Sequence, residues 1–150
     1  MGGKLMTQQE IISLLCKIAE EVQPVAGAKM AAALEYNGQI MSVCVNKRKS
    51  DPWMKKYGGN EDKIYLHAEI GAIKKYCGVK WNTVWKLYGG MDLYVVRVKR
   101  PISGSKLWVP AMARPCRICL ACAREVGVRR ICYTTGDWCR AMEWIEVGER

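Results

Sequence analysis

The stretch from Lys29 to Val45 limits most narrowly how this chain can fold. Two apolar-rich runs, Lys29 to Tyr36 and Ile40 to Val45, are separated by Asn37-Gly38. Asn and Gly accept the positive φ values of a tight two-residue turn, so the stretch reads as a β-hairpin. Ahead of it, Thr7 and Glu10 form a capping box, and Ile11, Leu14, Leu15, Ile18 and Val22 follow at helical spacing. This predicts a helix over about residues 8–22, ended by Pro24.

Beyond the hairpin, residues 46–64 read as a long basic loop. Leu66, Ile70, Ile73 and Cys77 share a helical face, with Gly78 as its cap. Asp92 to Val98 is rich in β-branched residues and predicts a central strand. Residues 99–114 form a second basic loop containing two prolines. Pro115, at the first helical position, opens a helix to about Val126 that Gly127 closes. Val128 to Thr134 is a further strand, and Asp137 caps a short final helix with Trp138, Met142 and Ile145. The order α-β-β-α-β-α-β-α predicts a mixed sheet with helices on both faces.

At 150 residues the chain is sized for one domain, spanning 1–150, around one core. An apolar half and a charged quarter exclude a disordered chain. Charged residues interrupt every apolar run well short of a membrane span. The opening MGGKLMTQQE carries no apolar signal segment, so the expected place is cytoplasmic, inside the cell, with no membrane partner. The net charge of +10 favours anionic partners such as nucleotides or nucleic acid. Its distribution is uneven: from Leu93 to Arg124 there is no acid, against seven bases, Arg97, Lys99, Arg100, Lys106, Arg114, Arg117 and Arg124.

Eight cysteines in a chain with no secretory feature read as metal ligands and core residues rather than disulfides. The single histidine opens the motif His67-Ala68-Glu69, and the second motif is Pro115-Cys116-Arg117-Ile118-Cys119. Each sits at a predicted helix start, where free N–H groups and the dipole favour thiolate over thiol. Cysteines three apart share a helical face. With the imidazole they make three ligands for a tetrahedral zinc whose fourth position stays open to water. Glu69 adds a carboxylate able to take a proton there and deliver it to a substrate. Residues two apart on an ideal helix point about 200° away from each other, so His67 and Glu69 face one site only at the first turn. Cys122 continues the spacing and reads as a small buried hydrophobe, as do Cys16, Cys44, Cys77 and Cys132.

His-Ala-Glu followed by Pro-Cys-x-x-Cys resembles the zinc signature of the cytidine and deoxycytidylate deaminase superfamily, over about residues 28–135. The resemblance implies a three-layer α/β/α sandwich around a mixed five-stranded sheet. It assigns His67, Cys116 and Cys119 to Zn²⁺ and Glu69 to the proton shuttle of a hydrolytic deamination. It also implies that the Ala68 N–H holds the base carbonyl, that carbonyls near Arg114 and Pro115 accept from the amine, and that Asn46 meets the sugar. The histidine form of the motif resembles deoxycytidylate, tRNA-adenosine and other nucleotide-type deaminases rather than small cytidine deaminases, which use Cys in that place.

The expected activity is therefore conversion of cytosine to uracil in a cytidine or deoxycytidine nucleotide. The alternatives are the same chemistry on cytosine or adenine within single-stranded DNA, RNA or tRNA, and an inactive zinc-stabilised nucleic-acid binding module. The first basic loop, with Lys47, Arg48, Lys49, Trp53, Lys55, Lys56 and Tyr57, has the mixture of charge and rings that a single strand binds. Asp51, Glu61 and Asp62 dilute it. In the second loop Lys99, Arg100, Lys106 and Arg114 offer phosphate contacts, and Trp108 is placed to stack on the target base or to anchor the loop. Trp138 and Trp144 serve either the core or a homo-oligomer interface.

Overall fold

The computed structural model describes residues 5–21, 29–47, 51–52, 54, 67–77, 90–101, 106–137 and 140–147. Among these, three helices, α1 (Gln8–Glu20), α2 (Ala68–Cys77) and α3 (Arg117–Val126), accompany six strands. The strands are β1 (Lys29–Tyr36), β2 (Gln39–Val45), β3 (Asp92–Lys99), β4 (Val109–Ala111), β5 (Arg130–Asp137) and β6 (Arg140–Glu146).

The helices start and stop for local reasons. Thr7 caps α1 as expected, its hydroxyl accepting from the Glu10 N–H while the Glu10 carboxylate accepts from the Thr7 N–H. The helix ends at Glu20, two residues before the expected end. Pro24, Leu66 and Gly78 lie outside the described residues. Gly127 ends α3 at φ 95°, a left-handed position that glycine occupies without strain.

Sheet order is β2-β1-β3-β5-β6, with every described pairing antiparallel except β3 with β5. The hairpin turns at Asn37 and Gly38, both at positive φ, as its sequence predicts. One edge of β3 pairs with β1 along its length. Its other edge pairs with β5 over Asp92–Val95 and with β4 over Arg97–Lys99.

Alternation along the strands divides the core in two. Ala32, Leu34, Leu93, Val95, Ile131 and Tyr133 pack with Ile70 and Ile73 of α2 and Ile118 and Val126 of α3. Ala31, Ala33, Tyr94, Val96, Val98 and Cys132 face the other way, onto Ile11, Ile12, Leu15 and Ala19 of α1. The result is the expected α/β/α sandwich, one helix on one face and two on the other.

Three expectations need correction. The sheet has six strands, because Val109–Ala111 adds a short strand inside the segment read as a loop. Three residues carry no periodic signal, and Pro110 fits because a short pairing tolerates its missing N–H. The final segment is a strand, not a helix. Ile145 packs on the α2/α3 side while Met142 and Trp144 pack on the α1 side, which is a period of two. Met142 and Ile145 alone, three apart, fit helical spacing equally well. Trp138 and Cys139 lie outside the described residues. Pro115 does not occupy the first helical position of α3, which is Arg117. No helix among the described residues is long and apolar enough to cross a membrane.

At the start of β3, buried Asp92 accepts hydrogen bonds from Arg129 at 2.9 and 2.8 Å and from Arg130 at 2.8 Å, fastening β3 to β5. Burial opposes ionisation of Asp92, but the two guanidiniums outweigh it and hold the carboxyl below its ordinary range. Its contribution is therefore present above the unfolded value of about 3.9 and is lost as pH falls through the native one. Asp92→Asn should lower stability by about 1–3 kcal/mol at pH 7 in urea titrations, and the gap to the parent should close towards pH 3. A gap independent of pH would remove the ionic part of this account.

Candidate metal centre

α2 and α3 each begin one residue after a side chain that can bind a metal. The His67 carbonyl accepts from the Gly71 N–H at 3.0 Å, and the Cys116 carbonyl accepts from the Leu120 N–H at 2.9 Å. Cys116 is thus the N-cap of α3, with extended backbone at φ −76° and ψ 170°. Pro115 stands before the cap instead of at the first helical position, since its fixed φ suits an extended entry as well as a helical turn. The Cys116 side chain makes no capping bond. It faces the third helical residue, Cys119, in the relation that a capping box exploits. Because His67 precedes the first helical residue, the 200° separation of an ideal helix does not apply to it and Glu69.

His67 Nδ1 lies 3.5 Å from Cys116 Sγ and 3.4 Å from Cys119 Sγ. Among the described residues these three form the group whose donor atoms all lie within 4.8 Å of one another; Cys122 is not part of it. Tetrahedral zinc bonds of about 2.0–2.1 Å to nitrogen and 2.3 Å to sulfur set those atoms about 3.5 Å apart, so the spacing fits. Cys122 is fully buried in the core beside Ala123 and Val126.

Charge is distributed to match. The Cys116 thiol is drawn down to about 3, chiefly by its hydrogen bond with Cys119, against burial and with help from His67. The Cys119 thiol is held well above its ordinary value by that same bond and by burial. Elsewhere burial is the chief cause: it pushes Cys132 up to about 12 and, with Glu20 nearby, Cys16 up to about 11. Glu69 is 2% exposed, and its Oε1 has no hydrogen-bond partner among the described residues. Burial pushes its carboxyl up, opposed by its own backbone N–H and the nearby imidazole, and its side chain hydrogen-bonds with Cys119. An orphaned carboxylate oxygen against three metal donors is what a site made for a cation and a polar ligand leaves behind.

The other expected residues are placed unevenly. Ala68 and Pro115 are buried beside the donors in sequence, and Arg114 is exposed, donating from Nη1 to the Tyr133 hydroxyl at 2.8 Å. Asn46 is buried where β2 ends, its Oδ1 accepting from the Met30 N–H at 3.0 Å, so it joins β2 to β1. Trp108 belongs elsewhere. It packs on the α1 side of the sheet, with Lys29 Nζ at 4.3 Å and the Arg100 guanidinium at 4.7 Å from its ring, while the donors lie on the other side. It anchors its segment and is not placed to stack on a base there. Of the first basic loop, Arg48, Lys49, Trp53, Lys55, Lys56, Tyr57, Glu61 and Asp62 lie outside the described residues.

Sequence reasoning missed Thr134. Its hydroxyl donates to the Ala111 carbonyl at 2.7 Å and accepts from the Arg97 N–H at 3.3 Å, and its carbonyl accepts from the Ala113 N–H at 2.8 Å. One buried residue thus fixes β3, β4 and the segment entering Cys116 relative to β5. A threonine at the end of the strand expected over Val128 to Thr134 gives no signal of this.

Residues 5–135 match the family described as the cytidine and deoxycytidylate deaminase zinc-binding region. The dCMP deaminase from the cyanophage S-TIM5 is similar in its apo form, with a TM-score of 0.52 and 20% identity over 86% of each chain. Its complex with dCMP and dUMP gives a TM-score of 0.53 and 16% identity over 85% of this chain and 80% of that one. A tRNA:A34 deaminase gives a TM-score of 0.46 and 21% identity over 86% and 75%. No curated protein matches the sequence significantly. The matched family binds zinc, and the donor set here fits that metal. Cys119→Ala should reduce zinc, measured by elemental analysis of purified protein, from about one per chain to near none, with a lower melting temperature. Unchanged zinc content would move the site elsewhere.

Proposed function

The chain belongs to the family of the cytidine and deoxycytidylate deaminase zinc-binding region, and on that premise we propose that it hydrolyses the amino group from cytosine in a cytidine or deoxycytidine nucleotide. The observation that carries this reading is the buried Glu69, with an unpartnered oxygen, set against the His67, Cys116 and Cys119 donors. A structural zinc site needs no such carboxylate. The fold likeness to a dCMP deaminase also solved with dCMP and dUMP supports a mononucleotide.

In this reading His67 Nδ1 and the two thiolates hold zinc, which supplies Lewis acidity that makes a nearby water easier to deprotonate. Glu69 takes a proton from the attacking water and passes it to the ring nitrogen. A new C–O bond forms at the amino-bearing carbon. Glu69 then takes the proton of that new hydroxyl and delivers it to the amine, so that the carbonyl forms, the C–N bond breaks and ammonia leaves. Water and cytosine become uracil and ammonia. The Ala68 N–H, at the start of α2, holds the base carbonyl, and the carbonyls of Arg114 and Pro115 accept from the amine. Asn46, whose Oδ1 accepts from the Met30 N–H, is held at the end of β2 as the contact for the sugar. The reading takes residues 1–150 as one deaminase domain working inside the cell, where thiolates stay reduced.

A second reading, deamination of a base within a single strand, draws on one feature. Along β2, at the edge of the described sheet, a cavity of about 550 Å³ is lined by Lys47, Lys74 and Lys75 among apolar residues. Such a groove suits a phosphate backbone. It is partly neutralised, since Lys74 pairs with Asp51 at 2.6 Å.

The test is product detection by mass spectrometry with zinc-loaded protein, using cytidine and deoxycytidine monophosphates, their nucleosides, and single strands containing cytosine or adenine. A mononucleotide should react, and Glu69→Gln should lower turnover by about 10²–10⁴-fold with zinc retained. Turnover only in a strand would favour the second reading, and a Glu69→Gln variant within tenfold of the parent would remove the shuttle.

A further inference from the structure

We propose that Arg97 is the residue that binds the substrate's phosphate, an inference that rests on the deaminase reading above. Two buried side-chain polar atoms lack a partner among the described residues: Glu69 Oε1 and Arg97 Nε. The first belongs to the metal centre. The second is the buried Nε of a half-buried arginine with nothing to donate to, and a buried donor left unpaired is costly unless a ligand fills it.

The register of β3 puts Arg97 on the correct side. Leu93 and Val95 face α2 and α3, Tyr94, Val96 and Val98 face α1, and Arg97 continues the odd-numbered series. It pairs across β1 with Met30, which also packs on the α2/α3 side. Its position along the strand is right as well. The Arg97 N–H donates to the Thr134 hydroxyl, and the Thr134 carbonyl accepts from Ala113, three residues before Cys116. Arg97 therefore lies at the end of the sheet from which the chain enters the metal centre, on the centre's side.

The ligand class follows from charge and shape. No acidic residue occurs between Leu93 and Arg124, so the neighbouring sequence supplies no internal carboxylate for this guanidinium. A guanidinium offers Nε and one Nη as parallel donors to two oxygens of one group, which matches phosphate. The Arg114 guanidinium, by contrast, is already engaged with the Tyr133 hydroxyl. The same chemistry is presented by a mononucleotide's 5′-phosphate and by a strand's phosphodiester, and the substrates tested separate them.

The experiment compares the full-length zinc-loaded parent with Arg97→Gln and Arg97→Lys. Turnover is measured on deoxycytidine, deoxycytidine monophosphate and a cytosine-containing single strand. Binding of deoxyuridine monophosphate and inorganic phosphate is measured by calorimetry, which needs no turnover. Zinc content and circular dichroism report folding. Arg97→Gln should weaken deoxyuridine monophosphate binding by about tenfold to hundredfold. On the phosphorylated substrate, the loss of kcat/KM should exceed that on deoxycytidine by at least about tenfold, mostly in KM, with partial recovery in Arg97→Lys. Whichever phosphorylated substrate shows the excess loss is the source of the phosphate.

Equal losses on nucleoside and nucleotide would mean a structural role and overturn the proposal. So would a parent that binds neither phosphate ligand, which can be read even if Arg97→Gln fails to fold. Phosphate binding that depends on Arg97 in a protein that deaminates nothing would contradict the deaminase reading and leave this one standing.

Discussion

The structure depends on two helix N-termini meeting over one end of a sheet. α2 and α3 arise from segments about fifty residues apart, yet the residue just ahead of each helix lies within 3.5 Å of the other through Nδ1 and Sγ. An N-terminal turn has unpaired N–H groups and a positive dipole end, so it favours negative charge. Bringing two such ends together creates a place where a thiolate and a buried carboxylate can coexist. Cys116 is drawn down to about 3, chiefly by its hydrogen bond with Cys119 and against burial, whereas Cys132, away from the centre, is pushed up to about 12 by burial.

The sheet exists to hold that meeting point. Its strands bury small or branched residues on both faces, Ala31 to Ala33 in β1 and Val95 and Val96 in β3 among them, so helices can pack closely on either side. Asp92 fastens β3 to β5 at one end, and Thr134 fastens β3, β4 and β5 at the other. The segment entering Cys116 is thus positioned by strand pairing before the donors themselves contribute.

Features whose partners are close in sequence were readable directly. Asn37-Gly38 determines its own turn, Thr7 and Glu10 satisfy each other, and Gly127 ends its own helix. The donors were readable because one histidine and a Cys-x-x-Cys pair leave few combinations. What was hidden depends on distant partners. Met142, Trp144 and Ile145 fit two periods until β5 lies beside them. Pro115 suits a position before the cap or inside the helix, so Cys116 as N-cap was invisible. Trp108 read equally as a base-stacking ring or a loop anchor because nothing in its own neighbourhood says which side of the sheet it joins. Arg97 was one base in a basic stretch until strand register gave it a face.

His67, Cys116 and Cys119 make an open zinc site with one nitrogen and two sulfur ligands from the protein. X-ray absorption at the zinc edge of the zinc-loaded full chain tests it most directly. Such a site predicts two sulfur neighbours at about 2.3 Å and lighter neighbours at about 2.0–2.1 Å with the scattering signature of a single imidazole. A third sulfur, bringing in Cys122 and closing the site, or the absence of an imidazole, would contradict it.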